Sequence, residues 1–260
     1  MTEETKIPIA EQFYSVQGEG PNAGTPAVFL RLSGCNLTCG WDDDLEDYEP
    51  GDSPKGDASW VCDTIDVWRQ SSETPTPEEL IDEWDTRGWW DKLTPEGAHL
   101  ILTGGEPTLP ARQDEILKLV GEMLRRRKRG KPFIEVETNG TIVPKDELQN
   151  YVDLWNVSVK LSNSGMDESR RLVDDALEFH ANNENSVFKF VVSGEGDIDE
   201  VIEIIEEYDI PDERVSLMPA GQTREQLAET YPVVAEVCKD RLWDFTPRLQ
   251  VTTWDQATGV

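Results

Sequence analysis

Three of the four cysteines in this 260-residue chain lie within residues 35–62. Cys35 and Cys39 are separated by three residues, and Cys62 follows after a further 22. Thiolates are ligands of zinc and the usual ligands of iron–sulfur clusters. The spacing indicates either one metal site with an acidic segment inserted into it, or a close pair and an unrelated thiol.

The identity of the metal is not settled by the spacing alone. A structural zinc site needs four N or S ligands, and the remaining candidates are Cys238, His99 and His180. Cys238 lies in a helical pattern of valines and His99 opens an apolar run, so packing roles are expected for both. Three cysteines without a fourth ligand suit an iron–sulfur cluster that leaves one iron open. Zinc and iron–sulfur both stay open at this point.

The chain is strongly acidic, with 53 Asp and Glu against 24 Lys and Arg and a net charge of −29. Such a field repels nucleic acid and anionic membranes, so neither is expected as a partner. The charge indicates a surface adapted to high salt, the alternative being an acidic mesophilic protein. No apolar run approaches about 18 residues and no secretory signal is evident, which predicts a cytoplasmic protein.

The elements that must position the cysteines alternate along the chain. Strand-length apolar runs occupy 27–32, 99–104, 133–138, 154–161, 187–192, 215–219 and 248–254. Helical patterns occupy 111–130, 167–182, 197–208 and 224–240, the last interrupted by Pro232. This alternation predicts an α/β fold with about six parallel strands, as an open sheet or a partial (β/α) barrel. Ligands of such folds bind at the carboxyl ends of the strands.

The predicted strand ends carry small, polar and charged residues. They read TGGEPTLP (103–110), ETNGT (137–141), SVKLS (158–162) and LMPAG (217–221). Because these ends meet at one edge of a parallel sheet, together they indicate a pocket. A single domain over 1–260 is expected, with an acidic insertion at about 42–59. Eight acidic residues and one lysine in this insertion predict a solvated, mobile loop without a role in a core.

The motifs resemble those of radical S-adenosylmethionine enzymes, through Cys-x3-Cys, a later aromatic-x-Cys, and GGEP after the next strand. More narrowly, the chain resembles the 7-carboxy-7-deazaguanine synthase family over residues 11 to about 221. The matching stretches are EQFYSVQGEGPNAGTPAVFLRLSGCNLTC, WVCDT, LTGGEPTL, EVETNGT, SVKLS, FKFVV and LMPAG. The chain departs from the family in the acidic insertion, in Val159 where proline is frequent, and in Gln250 where many relatives have histidine.

The resemblance implies a partial barrel with an iron–sulfur loop after its first strand. Cys35, Cys39 and Cys62 would hold a [4Fe–4S] cluster, and Thr64 would bind Mg²⁺. S-adenosylmethionine would contact Val61, Asp63, Gly104, Gly105, Glu106, Glu137, Asn139, Ser158 and Lys160. The substrate would contact Val16, Gln17, Gly18, Glu19, Arg31 and Thr103. The planar fork of Arg31 suits a carboxylate, and the QGEG turn offers acceptors to a 2-aminopyrimidinone edge.

The resemblance also implies an activity. A 5′-deoxyadenosyl radical would abstract hydrogen from 6-carboxy-5,6,7,8-tetrahydropterin, and ring contraction with ammonia loss would give 7-carboxy-7-deazaguanine for archaeosine or queuosine synthesis. An electron donor of flavodoxin or ferredoxin type and a homodimer are implied as well. Two alternatives remain: a radical S-adenosylmethionine activase of a partner protein, and a zinc-stabilised binding module without catalysis.

Overall fold

The computed structural model describes residues 4–42, 44–126, 130–255 and 257. Its strands are β1 (Ile9–Val16), β2 (Pro26–Leu32), β3 (His99–Gly104), β4 (Ile134–Thr138), β5 (Leu154–Val157), β6 (Ser186–Val192), β7 (Val215–Pro219) and β8 (Asp244–Phe245). Its α-helices are α1 (Ile65–Trp68), α2 (Pro77–Thr86), α3 (Pro110–Arg126), α4 (Asp146–Gln149), α5 (Glu168–Arg171), α6 (Asp174–Asn182), α7 (Ile198–Glu207), α8 (Arg224–Arg241) and α9 (Leu249–Trp254).

The strands form one sheet whose spatial order follows the chain from β1 to β8. β1 pairs antiparallel with β2, and each later neighbour is parallel. The predicted α/β fold is therefore confirmed, as an open sheet rather than a closed barrel. The parallel part, β2 to β8, has one strand more than the predicted six because the two-residue β8 extends it. The cysteine loop follows β2, the first parallel strand.

The apolar strands and the helices that cross between them share a large core. Trp84, Trp155, Phe188 and Phe190 are the largest fully buried side chains in it. The near-continuous apolar sequences of the parallel strands are explained by this burial on both faces. In the described part of the chain, no helix is long and apolar enough to cross a membrane.

Several boundaries differ from those expected. The run 248–254 is not a strand, because its residues form α9 against the turn after β1, where the Leu249 amide donates to the Gly18 carbonyl at 2.9 Å. Tertiary contacts thus override the β-propensity of this segment. β5 ends at Val157 instead of 161, and α8 runs continuously through Pro232.

One predicted helix is divided, and the end of another lies next to residues that the structure does not describe. The pattern at 167–182 is divided into α5 and α6, with Leu172 and Val173 extended between them. The helix predicted to end at Gly130 is described as far as Arg126, and residues 127–129 lie outside the described chain.

The prediction that residues 42–59 have no core role is wrong. Tyr48 is 4% exposed and packs with Trp41, Val61, Ile65 and Trp68 in a small hydrophobic cluster. Trp41, which precedes the acidic run, and Tyr48 within it attach the segment to the protein by apolar contacts. The overall composition of the segment does not reveal these two residues. Asp43, within this segment, is outside the described residues.

Candidate active site

The backbone brings the second and third cysteines together beyond the end of β2. The Cys62 amide donates a hydrogen bond of 3.0 Å to the Cys39 carbonyl. Gly40 has a φ of 81°, and a methyl group there would lie 2.2 Å from the Trp60 carbonyl oxygen. The two ends of the chain segment between Cys39 and Cys62 therefore lie side by side. The inserted segment loops out, and Cys35 and Cys62 both pack against the small cluster of buried residues that contains Cys39.

One cavity of about 520 Å³ lies at the carboxyl ends of the parallel strands. Its wall contains the three cysteines and each predicted cofactor or substrate residue except Glu106. These residues are Cys35, Cys39, Cys62, Thr64, Val61, Asp63, Gly104, Gly105, Glu137, Asn139, Ser158, Lys160, Val16, Gln17, Gly18, Glu19, Arg31 and Thr103. The strand ends thus share one pocket, as their sequences predicted.

Burial dominates the chemistry of the first two thiols. It raises the pKa of Cys35 well above its usual range, with a further rise from the Glu106 carboxylate. It also raises the pKa of Cys39 to about 11. The Leu37 amide approaches the Cys35 sulfur at 3.5 Å, a contact of the kind that stabilises sulfur ligands of a cluster. Metal coordination would deprotonate such thiols.

The three candidates for a fourth zinc ligand lie elsewhere. Cys238 belongs to the main core, His99 stacks on Phe133, and His180 Nδ1 is 2.9 Å from Ser186 Oγ. Within the described ranges, no three His, Cys, Asp or Glu side chains meet at one point as ligands of a single ion would. Thiols that stand around a shared space suit a cluster of four irons with one iron left open.

The Gly-Gly turn after β3 packs on the loop that carries the cysteines. A methyl group on Gly105 would lie 1.9 Å from the Gly34 carbonyl oxygen, and one on Gly104 would lie 2.3 Å from the Leu32 carbonyl oxygen. The Glu106 amide donates to the Gly34 carbonyl at 2.8 Å. Only glycine allows these backbones to approach so closely, which keeps the cysteine loop against the sheet.

Glu106 is fully buried behind the cavity wall, a placement that does not match its predicted contact with the cofactor. Its Oε1 accepts hydrogen bonds from the Thr108 and Thr138 hydroxyls, and its Oε2 accepts one from the Asn139 amide at 2.7 Å. Glu106 therefore joins the end of β3 to the end of β4. Asn139 does line the cavity, and its Nδ2 donates to Asn36 Oδ1 in the cysteine loop.

Polar residues at the ends of β3 and β4 and just after β5 line the same side of the cavity. Thr103 Oγ1 donates to Glu137 Oε2 at 2.7 Å. Lys160 Nζ donates to Ser158 Oγ at 2.7 Å, as expected for two side chains on the same side of an extended chain. This edge of the sheet therefore places the Glu137 carboxylate, the Thr103 and Ser158 hydroxyls and the Lys160 ammonium group in the wall of the cavity.

Gln17 is 1% exposed, and its side chain is fully engaged by the protein. Its Nε2 donates to Glu135 at 2.9 Å and to Glu137 at 3.1 Å, while its Oε1 accepts from the Glu19 amide. Gln17 therefore holds the turn after β1 instead of offering its amide to a ligand. Burial, with the neighbouring Glu137 charge, raises the pKa of Glu135 to about 7.

Glu19 is the centre of a buried charge network. Its Oε2 pairs with Lys189 Nζ at 2.5 Å, and its Oε1 accepts from Gln250 Nε2 at 2.6 Å and Arg248 Nε at 3.3 Å. Burial would raise the pKa of Glu19, but Lys189 and Arg248 outweigh it and lower the pKa to about 2. Gln250 also covers Gly18, where a methyl group would lie 2.0 Å from Gln250 Oε1.

The residues after Cys62 connect this network to the cysteine loop. Arg248 also pairs with Asp63, at 2.5 Å, so one guanidinium spans the two ends of the cavity. Thr64 Oγ1 lies 3.4 Å from Cys62 Sγ. Both Asp63 and Thr64 line the cavity.

Arg31 on β2 is held by a protein carboxylate. Its Nε donates to Glu11 Oε1 at 2.8 Å, and its side chain is 15% exposed. Its Nη1 is 3.5 Å from the Gly104 carbonyl oxygen. The guanidinium is thus oriented at the cavity wall with donors left for a ligand.

Sequence reasoning missed Lys189, Arg248, Glu135 and Tyr48. A signal existed for Lys189, because lysine is almost never buried without a partner and this one interrupts the apolar strand VFKFVV. No comparable local signal marks Arg248, which reaches the cavity from a segment expected to be a strand.

An open parallel sheet with three cysteines and a glycine-rich turn at its carboxyl edge defines the radical S-adenosylmethionine class. No model of a known protein family matches the chain. A 7-carboxy-7-deazaguanine synthase of Pyrobaculum aerophilum is 32% identical over 259 residues, covering 100% of both chains. One of Halobacterium salinarum is 31% identical, covering 96% of this chain and 91% of the relative.

The chain belongs to the 7-carboxy-7-deazaguanine synthase family. The crystal structure of QueE from Escherichia coli matches the fold with a TM-score of 0.61 at 22% identity, over 93% of each chain.

Proposed function

We propose that this protein converts 6-carboxy-5,6,7,8-tetrahydropterin into 7-carboxy-7-deazaguanine and ammonia, within deazapurine biosynthesis. The observation that carries the proposal is the single cavity shared by three thiols and the Glu19, Arg31 and Lys189 charges. Membership of the family supports the same reaction. The activase alternative does not account for the buried charge network beside the cysteines. For the zinc alternative, none of the fourth-ligand candidates Cys238, His99 and His180 is in the described wall of the cavity.

The cofactor end of the cavity would use the thiols of Cys35, Cys39 and Cys62 to hold a [4Fe–4S] cluster. When bound, the cluster and S-adenosylmethionine would together supply an electron and a 5′-deoxyadenosyl radical for hydrogen abstraction. The protein residues that would bind and orient S-adenosylmethionine are Val61, Asp63, Gly104, Gly105, Glu137, Asn139, Ser158 and Lys160. Glu106 would not contact the cofactor but would hold the end of β3 against the end of β4, behind the cavity wall.

At the substrate end of the cavity, the charged side chains of Arg31 and Glu19 would bind the substrate. Glu11 orients Arg31, whose remaining donors suit the substrate carboxylate. The ionised Glu19 has an acceptor site left for the amino group of a 2-aminopyrimidinone. Glu19 would thus orient the pterin ring while Arg31 excludes neutral analogues that lack the carboxylate.

Thr64 would place a hydroxyl on Mg²⁺, an ion that prefers oxygen ligands and keeps waters. The substrate carboxylate would complete that site. A flavodoxin- or ferredoxin-type electron donor, a homodimer and a cytoplasmic, high-salt setting stay predictions.

The test is anaerobic reconstitution with iron and sulfide in high salt, followed by incubation with S-adenosylmethionine, Mg²⁺, reductant and the tetrahydropterin. Mass spectrometry should show 7-carboxy-7-deazaguanine. Cleavage of S-adenosylmethionine with an unchanged pterin would keep the class and exclude this substrate. Stoichiometric zinc without iron would exclude the reaction.

A further inference from the structure

The acidic segment contributes to the wall of the cavity. Tyr48, Pro50, Gly51 and Asp52 line it, next to Asp66 and Trp68 of the α1 region. This is unexpected for a run whose composition predicts a solvated loop. The segment thus adds a surface to the cavity at its cysteine end.

Contacts hold the described part of this segment in place. The Tyr48 ring packs edge-on against Trp41 with centroids 5.2 Å apart. Lys55 lies 3.7 Å above the Trp41 ring, and its amide donates to the Gly40 carbonyl at 3.0 Å. Arg69 donates to the Tyr48 carbonyl at 3.3 Å. The position of the Tyr48 ring is therefore determined from both sides of the segment.

The Tyr48 hydroxyl is available to a molecule in the cavity. The residue lines the cavity and is 4% exposed, and its oxygen is not one of the sealed, unpartnered polar atoms of the described residues. No hydrogen bond joins this hydroxyl to a described residue, so a ligand in the cavity is a suitable partner. Burial raises the pKa of Tyr48, and the nearby Asp66 and Cys62 raise it further, so the hydroxyl keeps its proton.

We propose that the Tyr48 hydroxyl donates a hydrogen bond to S-adenosylmethionine bound beside Cys62, so that the acidic segment is part of the cofactor site. The cofactor offers carboxylate, ribose and adenine acceptors. Cys62 packs against the hydrophobic cluster that contains Tyr48, and S-adenosylmethionine would bind the iron–sulfur cluster that Cys62 would hold. The inference rests on the proposed function for the presence of S-adenosylmethionine in this cavity.

The test compares cofactor binding by wild-type protein and Tyr48→Phe, both reconstituted anaerobically. The substitution keeps the ring and its packing, so the fold should be retained. Loss of one hydrogen bond should raise the Kd for S-adenosylmethionine about fivefold by calorimetry. Affinity for the tetrahydropterin should change less than about twofold, well below the loss of one hydrogen bond.

Two control variants separate contact from packing. Tyr208→Phe removes a hydroxyl that bonds Asp174 at 2.9 Å, outside the cavity wall, and should leave cofactor affinity unchanged. Leu45→Ala loosens the same segment without touching the cavity. Unchanged affinity in Tyr48→Phe, or equal weakening in Leu45→Ala, would overturn the inference.

The same samples separate the inference from the proposed function. If the wild-type protein makes product and Tyr48→Phe binds the cofactor normally, only the inference fails. If the wild-type protein binds the cofactor and Tyr48→Phe weakens that binding, but no product forms, the inference holds and the substrate assignment fails.

Discussion

Lys189 Nζ lies 2.5 Å from Glu19 Oε2, and the two side chains are only 6% and 14% exposed. The pair joins β6 to the turn after β1, residues 170 positions apart in the chain. Removing one member of a buried pair leaves an uncompensated charge, which costs more than the pair contributes. The loss in the free energy of unfolding then depends on which other charged groups lie next to the residue that remains.

The two halves of this pair should differ in their effect on the free energy of unfolding. Glu19→Gln leaves both Lys189 and Arg248 unpaired at this point and should lower it by about 3 kcal/mol. Lys189→Met leaves Glu19 with Arg248 and Gln250 and should cost clearly less. Urea unfolding at constant high salt measures both.

An exposed pair provides the control for these variants. Glu236 pairs with Lys239 with both side chains about two-thirds exposed. Glu236→Gln should therefore change the free energy of unfolding by less than about 0.5 kcal/mol. Equal losses in Glu19→Gln and Lys189→Met would show that Arg248 does not share the Glu19 carboxylate.

Gly40→Ala should displace the third cysteine. Its methyl group would meet the Trp60 carbonyl, and the position also has a positive φ. The φ cost of about 1 kcal/mol is shared by Gly56→Ala, where a methyl group meets nothing within 4 Å. Overpacking should add roughly 1–3 kcal/mol at Gly40 alone.

The amount of iron per chain after reconstitution measures how far Gly40→Ala impairs cluster binding. Gly40→Ala should retain less iron than Gly56→Ala, because only the former disturbs the contact between the chain ends of the insertion. Equal iron in the two variants would mean that closure at Gly40 does not position Cys62.

Cys62→Ala should abolish stable cluster binding, whereas Cys238→Ala should retain it. Cys62 lines the cavity with Cys35 and Cys39, and Cys238 is buried in the main core. Iron analysis and visible absorption of the reconstituted variants distinguish the two. A normal iron content in Cys62→Ala would favour the alternative of a close pair and an unrelated thiol.

Glu135 should make stability fall as pH rises. Its pKa is raised to about 7 from a usual 4.5, so the folded chain retains a proton that the unfolded chain releases. Between those pH values the free energy of unfolding should decrease by roughly 3 kcal/mol because of this group. Glu135→Gln should remove that slope. Urea unfolding from pH 4.5 to 8 measures it, and an unchanged slope would contradict the assignment.

The residues at the strand ends that line the cavity could be predicted from the sequence, but the buried ion pairs that hold them in place could not. Parallel strand ends are signalled locally by GGEP, ETNGT and SVKLS, and strand order then brings them together. Arg248 and Lys189 depend on pairing with Glu19, a contact between distant segments that no local pattern reports. Glu106 had a functional motif around it, but its carboxylate is held by Thr108 in the same loop and by Thr138 and Asn139 at the end of β4.

The errors in secondary structure have a related cause. α9 has strand-like composition, but Leu249 and Arg248 are fixed by contacts with Gly18 and Glu19. Composition likewise describes the average of the acidic segment and not the burial of Tyr48. In each case a few long-range contacts outweigh local preference.

The hydrogen bond from Cys62 to Cys39 has a consequence for how the protein acquires its cluster. Closing a flexible loop of 22 residues costs about 3 kcal/mol of chain entropy. The Gly40 packing and this hydrogen bond offset that cost within the protein itself. Binding of a cluster at these thiols therefore does not have to supply the whole free energy of loop closure, in contrast to a zinc finger, whose metal binding supplies its folding free energy.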